Sequence, residues 1–158
     1  MSKFQSKVTK EGSKLVVQLG GIIDEDADFS VVNIADAQEI HIDMDSIKSI
    51  NSCGIREWIK WIGAGSKSRV VYSKCPKVIV DQMNMVDGFL PGFASVESFY
   101  VPYYNEDSGS EKNVLFRYGI EYKEGQVQAP QEIKDDSGNT MEMDVIESKY
   151  FKFIKSKV

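Results

Sequence analysis

The sequence contains few of the residues from which cross-linked, metal-binding or membrane-spanning proteins are built. Only Cys53 and Cys75 are cysteines among its 158 residues, so a disulfide-rich secreted scaffold and a four-thiolate zinc site are excluded. No run of 18 apolar residues is present, and the first residues lack the apolar core of a signal peptide. The sequence therefore predicts a cytoplasmic protein that does not insert into a membrane.

An excess of basic charge is also missing. Nineteen lysines and arginines stand against 24 aspartates and glutamates, which gives a net charge of −5. Binding to nucleic acid or to anionic lipid usually depends on a surplus of positive charge, so we expect no nucleic-acid partner. With 42% hydrophobic and 27% charged residues, the chain has the composition of a globular protein.

Strand and helix patterns alternate over residues 1–104. Residues 15–19 predict a strand that stops at Gly20, and residues 39–44 predict a strand whose alternate side chains share one face. A loop over residues 45–51 is expected to follow. The later elements predicted are a helix over 55–62, a strand over 69–72, a helix over 78–86 and a final strand over 98–104. Pro102 in the final strand indicates an edge position or the exit of the chain from the sheet. This order predicts an α/β domain with a mixed sheet.

The first of these helices carries two tryptophans. Ile55, Trp58 and Ile62 recur at helical spacing and predict its buried face. Trp61 lies at the flank of that face, so we expect it to be partly exposed and to pack against the C-terminal segment. The helix should end at the Gly63-Ala64-Gly65 sequence.

From Asn105 onward the composition shifts towards serine, glycine, aspartate and glutamate. The patterns predict short strands over 114–118 and 120–122, a polar loop over 124–138, and a terminal helix over 145–155 with Ile146, Tyr150, Phe153 and Ile154 facing inward. Such a segment is too small to fold alone. We therefore expect residues 105–158 to form a small β-rich extension, ending in a short helix, that docks on residues 1–104.

The most informative point for function is the junction between loop and helix at residues 49–55. Asn51 is a favoured N-cap, which places Ser52 in the first turn of the helix. The backbone N–H groups and the helix dipole stabilise an anion there, and a phosphate on Ser52 would add about −1.5 to −2 charges. Gly54 would let another backbone approach closely. The alternative is that Asn51 and Ser52 only cap the helix.

The junction Asn51-Ser52-Cys53-Gly54-Ile55, between a strand and an amphipathic helix, resembles that of STAS domains, the fold of anti-sigma-factor antagonists. The family usually has Asp-Ser-Ser/Thr-Gly followed by Leu or Ile, and its first serine accepts phosphate from a partner kinase. The resemblance covers residues 10–104 and places Ser52 at the phosphoacceptor position and Gly54 at the glycine. Asn51 stands where the family has an acidic residue, and Cys53 stands in place of the second hydroxyl.

The resemblance implies a STAS-like mixed sheet with helices packed on it and a non-enzymatic signalling role without a cofactor. Its partner would be an anti-sigma factor or a kinase-like regulator, repelled or repositioned by phosphate on Ser52. The partner-binding residues that the resemblance implies, beside Ser52, are Asn51, Cys53, Gly54, Arg56, Glu57 and Lys60.

Two other functions are open. One is a constitutive scaffold or assembly subunit with the same fold and no phosphoswitch. The other is an enzyme with a reactive Cys53 thiol at the helix N-terminus. Nucleophilic catalysis also needs a base, and the single histidine, His41, lies on the preceding strand. We expect no catalytic residues, and the oligomeric state does not follow from the sequence.

A short motif occurs twice in the C-terminal segment. Residues 105–109 and 134–138 both read x-acidic-Asp-Ser-Gly, and they resemble the Cys-x-x-Cys-Gly knuckles of a zinc ribbon. The positions of the four thiolates hold Asn105, Ser108, Lys134 and Ser137. The resemblance implies a ribbon that has lost its ligands and binds no metal. Alternatively, Asp-Ser-Gly is an ordinary turn sequence used twice.

Overall fold

The computed structural model describes residues 3–156. Within them the strands are β1 (Gln5–Glu11), β2 (Lys14–Ile23), β3 (Glu39–Ile50), β4 (Arg69–Ser73), β5 (Ala94–Val96), β6 (Ser98–Tyr104), β7 (Glu111–Arg117), β8 (Tyr122–Lys123), β9 (Gln126–Val127), β10 (Ile133–Lys134) and β11 (Thr140–Met143). The α-helices are α1 (Ser52–Gly63), α2 (Lys77–Met85), α3 (Glu147–Tyr150) and α4 (Lys152–Ser156). The mixed α/β class is confirmed. No helix in this part of the chain has the length and apolar character needed to cross a membrane.

Five strands form the first sheet, in the order β1-β2-β3-β4-β5. β1 runs antiparallel to β2, and the other neighbours are parallel. Val17, Ile42 and Tyr72 lie side by side on β2, β3 and β4, and all three are fully buried. The alternation predicted for residues 39–44 is confirmed, because Ile42 lies between buried neighbours on the same face.

Two of the predicted strand ends are wrong. β2 continues through Gly20 and Gly21 to Ile23, and β3 continues through the predicted loop to Ile50. The pairing shifts register beside both glycines. A Cβ on Gly20 would lie 2.9 Å from Ser46 Cβ, and Gly21 has φ +81°. The glycines therefore let β2 bulge and stay paired with β3, where larger residues would have separated the strands.

Helix α1 covers this sheet with both tryptophans. Trp58 stacks on Phe89 at 5.0 Å and meets the edge of Tyr72 at 5.7 Å. Trp61, expected to be partly exposed and to contact the C-terminal segment, is 8% exposed and stacks on Phe29 at 5.0 Å. Its Nε1 donates to Val32 O at 2.9 Å. That expectation is wrong because the connection between β2 and β3 folds over the flank of α1.

The second sheet has the order β10-β11-β6-β7. The sequence predicted that the strand over 98–104 is the final strand of the first sheet, at an edge or exit position. Instead, β5 ends the first sheet, and β6 lies between β11 and β7. Pro102 is tolerated inside this sheet because β11 pairs only with Tyr103 and Tyr104, while Pro102 O accepts the Asp144 N–H at 2.8 Å.

The residues after Tyr104 pack on the rest of the chain through Phe99. Its ring lies within 6.2 Å of five other aromatic rings, those of Phe116, Tyr122, Tyr150, Phe151 and Phe153. Asn84 on α2 donates to Tyr150 O at 2.8 Å and accepts the Phe153 N–H at 2.9 Å. The division into residues 1–104 and 105–158 stays a prediction; its boundary falls between β6 and β7, which pair along their full length.

The single terminal helix predicted over 145–155 is replaced by two short helices. The chain leaves helical geometry at Phe151, with φ −95° and ψ 13°. This break allows Tyr150, Phe151 and Phe153 all to be buried. Ile146, predicted to face inward, is 63% exposed, because the first helix begins only after it.

Candidate functional site

The junction at Asn51 lies where β3 ends and α1 begins. Asn51 has an extended backbone, and its Oδ1 accepts the Gly54 N–H at 2.9 Å, as an N-cap does. Its carbonyl accepts the Ile55 N–H, also at 2.9 Å. The cap predicted from the sequence is thus present, and Ser52 is the first residue of α1.

The second half of the Asn51 side chain binds a residue that the sequence did not point to. Nδ2 donates to Glu25 Oε2 at 2.9 Å, and the Asn51 N–H donates to Ile23 O at 3.1 Å. The hydrogen bond from Asn51, followed by a backbone hydrogen bond of Glu25 itself, holds the pKa of the Glu25 carboxyl below its ordinary value. An aspartate at position 51 could not donate to Glu25. The amide in place of the acid therefore suits this neighbour.

Gly54 is buried beneath the end of β2. A Cβ at this position would lie 2.2 Å from Ile23 O and 2.7 Å from Ile23 C. Because both contacts are to main-chain atoms, no rotation of a side chain could relieve them. Gly54 therefore brings α1 against β2, and the part of the junction open to a partner lies elsewhere.

The open part consists of Ser52 and the polar face of α1. Ser52 is exposed and Cys53 is half-buried. Arg56, Glu57 and Lys60 are also exposed, and Lys60 Nζ lies 3.6 Å from Glu57 Oε1. An exposed pair of this kind adds little stability, so these charges are free to contact another protein.

An acidic turn lies next to the junction. Carboxylate oxygens of Asp24, Glu25 and Asp26 are within 4.8 Å of one another, and Asp24 Oδ1 accepts the Asp26 N–H at 2.9 Å. The hydrogen bond between Glu25 and Asn51 joins this turn to the start of α1. The surface around Ser52 is therefore acidic on the side of the turn, and it carries both positive and negative charges on the side of the helix.

The structure does not bring Cys53 and His41 together. His41 is the third residue of β3, and its Nε2 is 2.8 Å from Glu39 Oε1. Ile50 lies nine residue steps further along the strand, a distance of about 30 Å at about 3.3 Å per step. His41 therefore has no access to the Cys53 thiol as a base.

The two x-acidic-Asp-Ser-Gly motifs do lie together. Ser108 Oγ donates to Asp135 Oδ2 at 2.9 Å, and the Ser108 N–H donates to Asn105 Oδ1 at 2.8 Å. Asp135 Oδ1 accepts the Asn139 N–H at 2.9 Å. The hydrogen bond from Ser108 to Asp135 thus joins the two turns. The second turn is organised by Asp135, whereas Lys134 belongs to β10.

Hydrogen bonding also sets the charge state of Asp135. The backbone N–H of Asn139 is the main cause that holds the pKa of the Asp135 carboxyl far below its ordinary value, and the side chains of Asn139 and Ser108 act in the same direction. The carboxylate is therefore the form that stabilises the paired turns.

A groove along β5 was not predicted from the sequence. It has a volume of about 840 Å³ and lies between His41 and Val71 on the sheet and Tyr118 and Tyr122 beyond β7. Tyr122 Oη donates to Val96 O at 2.6 Å and closes one side of it. No local sequence pattern could have indicated this groove, because its walls come from distant segments of the chain.

No family model matches the chain, and no curated protein matches it at a significant level. The STAS and zinc-ribbon resemblances therefore rest on the sequence motifs alone.

Proposed function

We propose that the chain is a non-enzymatic protein–protein signalling module of the STAS type, whose partner binds at the junction of β3 and α1 and is released by phosphorylation of Ser52. The observation that carries this proposal is the position of Ser52, exposed in the first turn of a capped helix. The partner would be an anti-sigma factor or a kinase-like regulator, and no cofactor is needed. Both cysteines are free, which agrees with a cytoplasmic location.

The order of the first sheet supports the STAS assignment. An antiparallel β1–β2 pair is followed by parallel strands in chain order, and α1 starts at the Asn-Ser-Cys-Gly sequence. Gly54 keeps α1 against the end of β2 and so holds Ser52 at the rim of the sheet.

The charges around Ser52 explain how phosphate could act as a switch. The N-terminus of α1 favours an anion, so the phosphorylated side chain is tolerated by the helix itself. Glu25 already lies beside Asn51, and a phosphate would add about −1.5 to −2 charges to the same surface. A partner that contacts Arg56 or Lys60 through its own acidic groups would then be repelled.

The test compares four baits in the native cell: wild type, Ser52→Ala, Ser52→Glu and Ser66→Glu. Ser66 is exposed beyond the other end of α1, so its glutamate controls for added charge. After cross-linking and mass spectrometry, we expect one partner on wild type, Ser52→Ala and Ser66→Glu, and its loss from Ser52→Glu. Phosphate on Ser52 should be found in protein isolated from the same cells. Equal capture by all four baits would show that Ser52 is not a switch.

The second function is a constitutive scaffold of the same fold. It is favoured by two exposed apolar side chains in the turn that connects β7 and β8, Tyr118 and Ile120, which are 55% and 58% exposed. In this case Ser52→Glu would keep the partner, and the double change Tyr118→Ser with Ile120→Ser would lose it. The phosphoswitch predicts the opposite result for both variants.

A further inference from the structure

Strand β1 has an outer edge that is open to solvent. It pairs with β2 on one side, and within residues 3–156 no strand pairs with its other side. All seven of its residues are exposed, and Val8 is 44% exposed. An edge strand of this length without proline readily pairs with another strand unless its charges prevent this.

The turn that follows β1 decides which main-chain groups point outward. Gly12, with φ +64°, and Ser13 form a two-residue loop between the paired residues Glu11 and Lys14. Such a loop places its flanking residues in a hydrogen-bonded pair. Because the pattern alternates along the strand, the N–H and C=O groups of Ser6, Val8 and Lys10 point away from β2. A partner strand must therefore bind at those residues.

Charge selects one register for a second copy of β1. In an antiparallel pair centred on Lys7 or on Lys10, that lysine would lie opposite its own copy, which is unfavourable. In a pair centred on Val8, no positively charged residue faces a negatively charged one. A pair centred on Thr9 places Lys7 opposite Glu11 of the second copy, and it does so twice, while Val8 lies opposite Lys10.

The neighbours on β2 suit this register as well. Glu11 lies opposite Lys14 within its own hairpin, and Lys7 lies opposite Gln18. In the paired sheets the row would read Gln18, Lys7, Glu11, Lys14, with no like charges side by side. In the Thr9-centred register, Lys7 is thus neutralised by Glu11 of the second copy, and Lys10 faces the uncharged Val8.

We propose that two copies of this chain pair antiparallel through β1, about a two-fold axis at Thr9, and join their five-stranded sheets into one. The partner is a second copy because the charges of β1 complement themselves. This dimer does not depend on the function proposed for Ser52, since β1 and Ser52 belong to separate surfaces joined only through the sheet.

The test measures the monomer–dimer equilibrium of the full chain by sedimentation velocity over a range of concentrations. Lys7→Glu and Glu11→Lys each place like charges opposite one another, and each should weaken the dimer about tenfold or more. The double variant restores opposite charges across the interface and should dimerise more tightly than either single variant. Lys10→Glu changes the net charge by the same amount as Lys7→Glu. Because residue 10 faces Val8 of the second copy, the dimer of the Lys10→Glu variant should persist.

A cysteine experiment tests the register. In a Cys53→Ser background, Thr9→Cys places two thiols in a non-hydrogen-bonded pair about 4.5 Å apart at Cα, within the range of a disulfide. Thr9→Cys should therefore form a covalent dimer under mild oxidation, while Val8→Cys should not. Circular dichroism would confirm that each variant is folded. A wild-type monomer at every concentration, a dimer that ignores the charge changes, or equal cross-linking of both cysteine variants would overturn the proposal.

Discussion

Asn51 Nδ2 donates to Glu25 Oε2 at 2.9 Å, and Oδ1 of the same side chain accepts the Gly54 N–H at the same distance. One side chain thus caps α1 and holds the acidic turn after β2. An aspartate could do the first of these but not the second, because it has no N–H to give to a carboxylate. The amide at position 51 therefore has a local physical role that an acid could not fill.

This relationship predicts the effects of two substitutions at one position. Asn51→Ala removes the cap and should cost about 1 kcal/mol of unfolding free energy. Asn51→Asp keeps a capping oxygen but turns a hydrogen bond to Glu25 into a repulsion, so it should lower the melting temperature by less than Asn51→Ala. Adding Glu25→Gln should restore the stability of Asn51→Asp. If the double variant melts no higher than Asn51→Asp alone, the contact with Glu25 is not the cause.

Gly54→Ala should destabilise the protein strongly, because its Cβ would lie 2.2 Å from Ile23 O. Relief of this contact requires α1 to move from β2, and we expect a loss of about 3 kcal/mol or more. Gly63→Ala, at the other end of α1 with nothing within 4 Å of its Cβ, is the matched control. It should be neutral or stabilise by about 0.5 kcal/mol. Urea unfolding of the two variants would measure the contrast, and equal stabilities would contradict the geometry.

The paired turns around Asp135 should respond to acid. The folded-state pKa of this carboxyl lies below its unfolded value, so its contribution is complete above the unfolded pKa of about 4 and is lost as pH falls towards the folded value. Asp135→Asn should lower the melting temperature at pH 7 and flatten its decrease between about pH 5 and 2. Asp136→Asn, the exposed neighbour, should leave the pH profile of wild type unchanged. If the melting temperatures of both variants fell equally steeply with acid, this role of Asp135 would be ruled out.

Both tryptophans should be shielded from acrylamide, because Trp58 is 0% and Trp61 8% exposed. Trp61→Phe keeps an aromatic ring against Phe29 but leaves Val32 O without the indole N–H, and it should cost about 1 kcal/mol. Fluorescence quenching of wild type and of Trp61→Phe would test the shielding, and urea unfolding of the two proteins would test the loss of stability. Strong quenching that disappears in Trp61→Phe would show that Trp61 is exposed after all.

Local patterns were enough to predict the elements that depend on near neighbours. The alternation of residues 39–44 and the helical spacing from Ile55 to Ile62 arise from side chains a few residues apart, and so does the cap at Asn51. Side chains alternate every two residues along a strand and return to the same face about every 3.6 residues along a helix. This difference in period is enough to distinguish β3 from α1 in the sequence. The repeated x-acidic-Asp-Ser-Gly motif was equally visible, although not the hydrogen bonds between its copies.

The tertiary structure decided everything that depends on distant partners. Glu25 meets Asn51 because β2 and β3 stay paired past Gly20 and Gly21, which no local rule predicts from two glycines. β6 joins the second sheet because β7 and β11 lie on its two sides. Trp61 is buried because Phe29 folds over it. In each case a long-range contact outweighed the local preference, since burial and pairing with a distant segment contribute more free energy than the intrinsic tendency of a few residues.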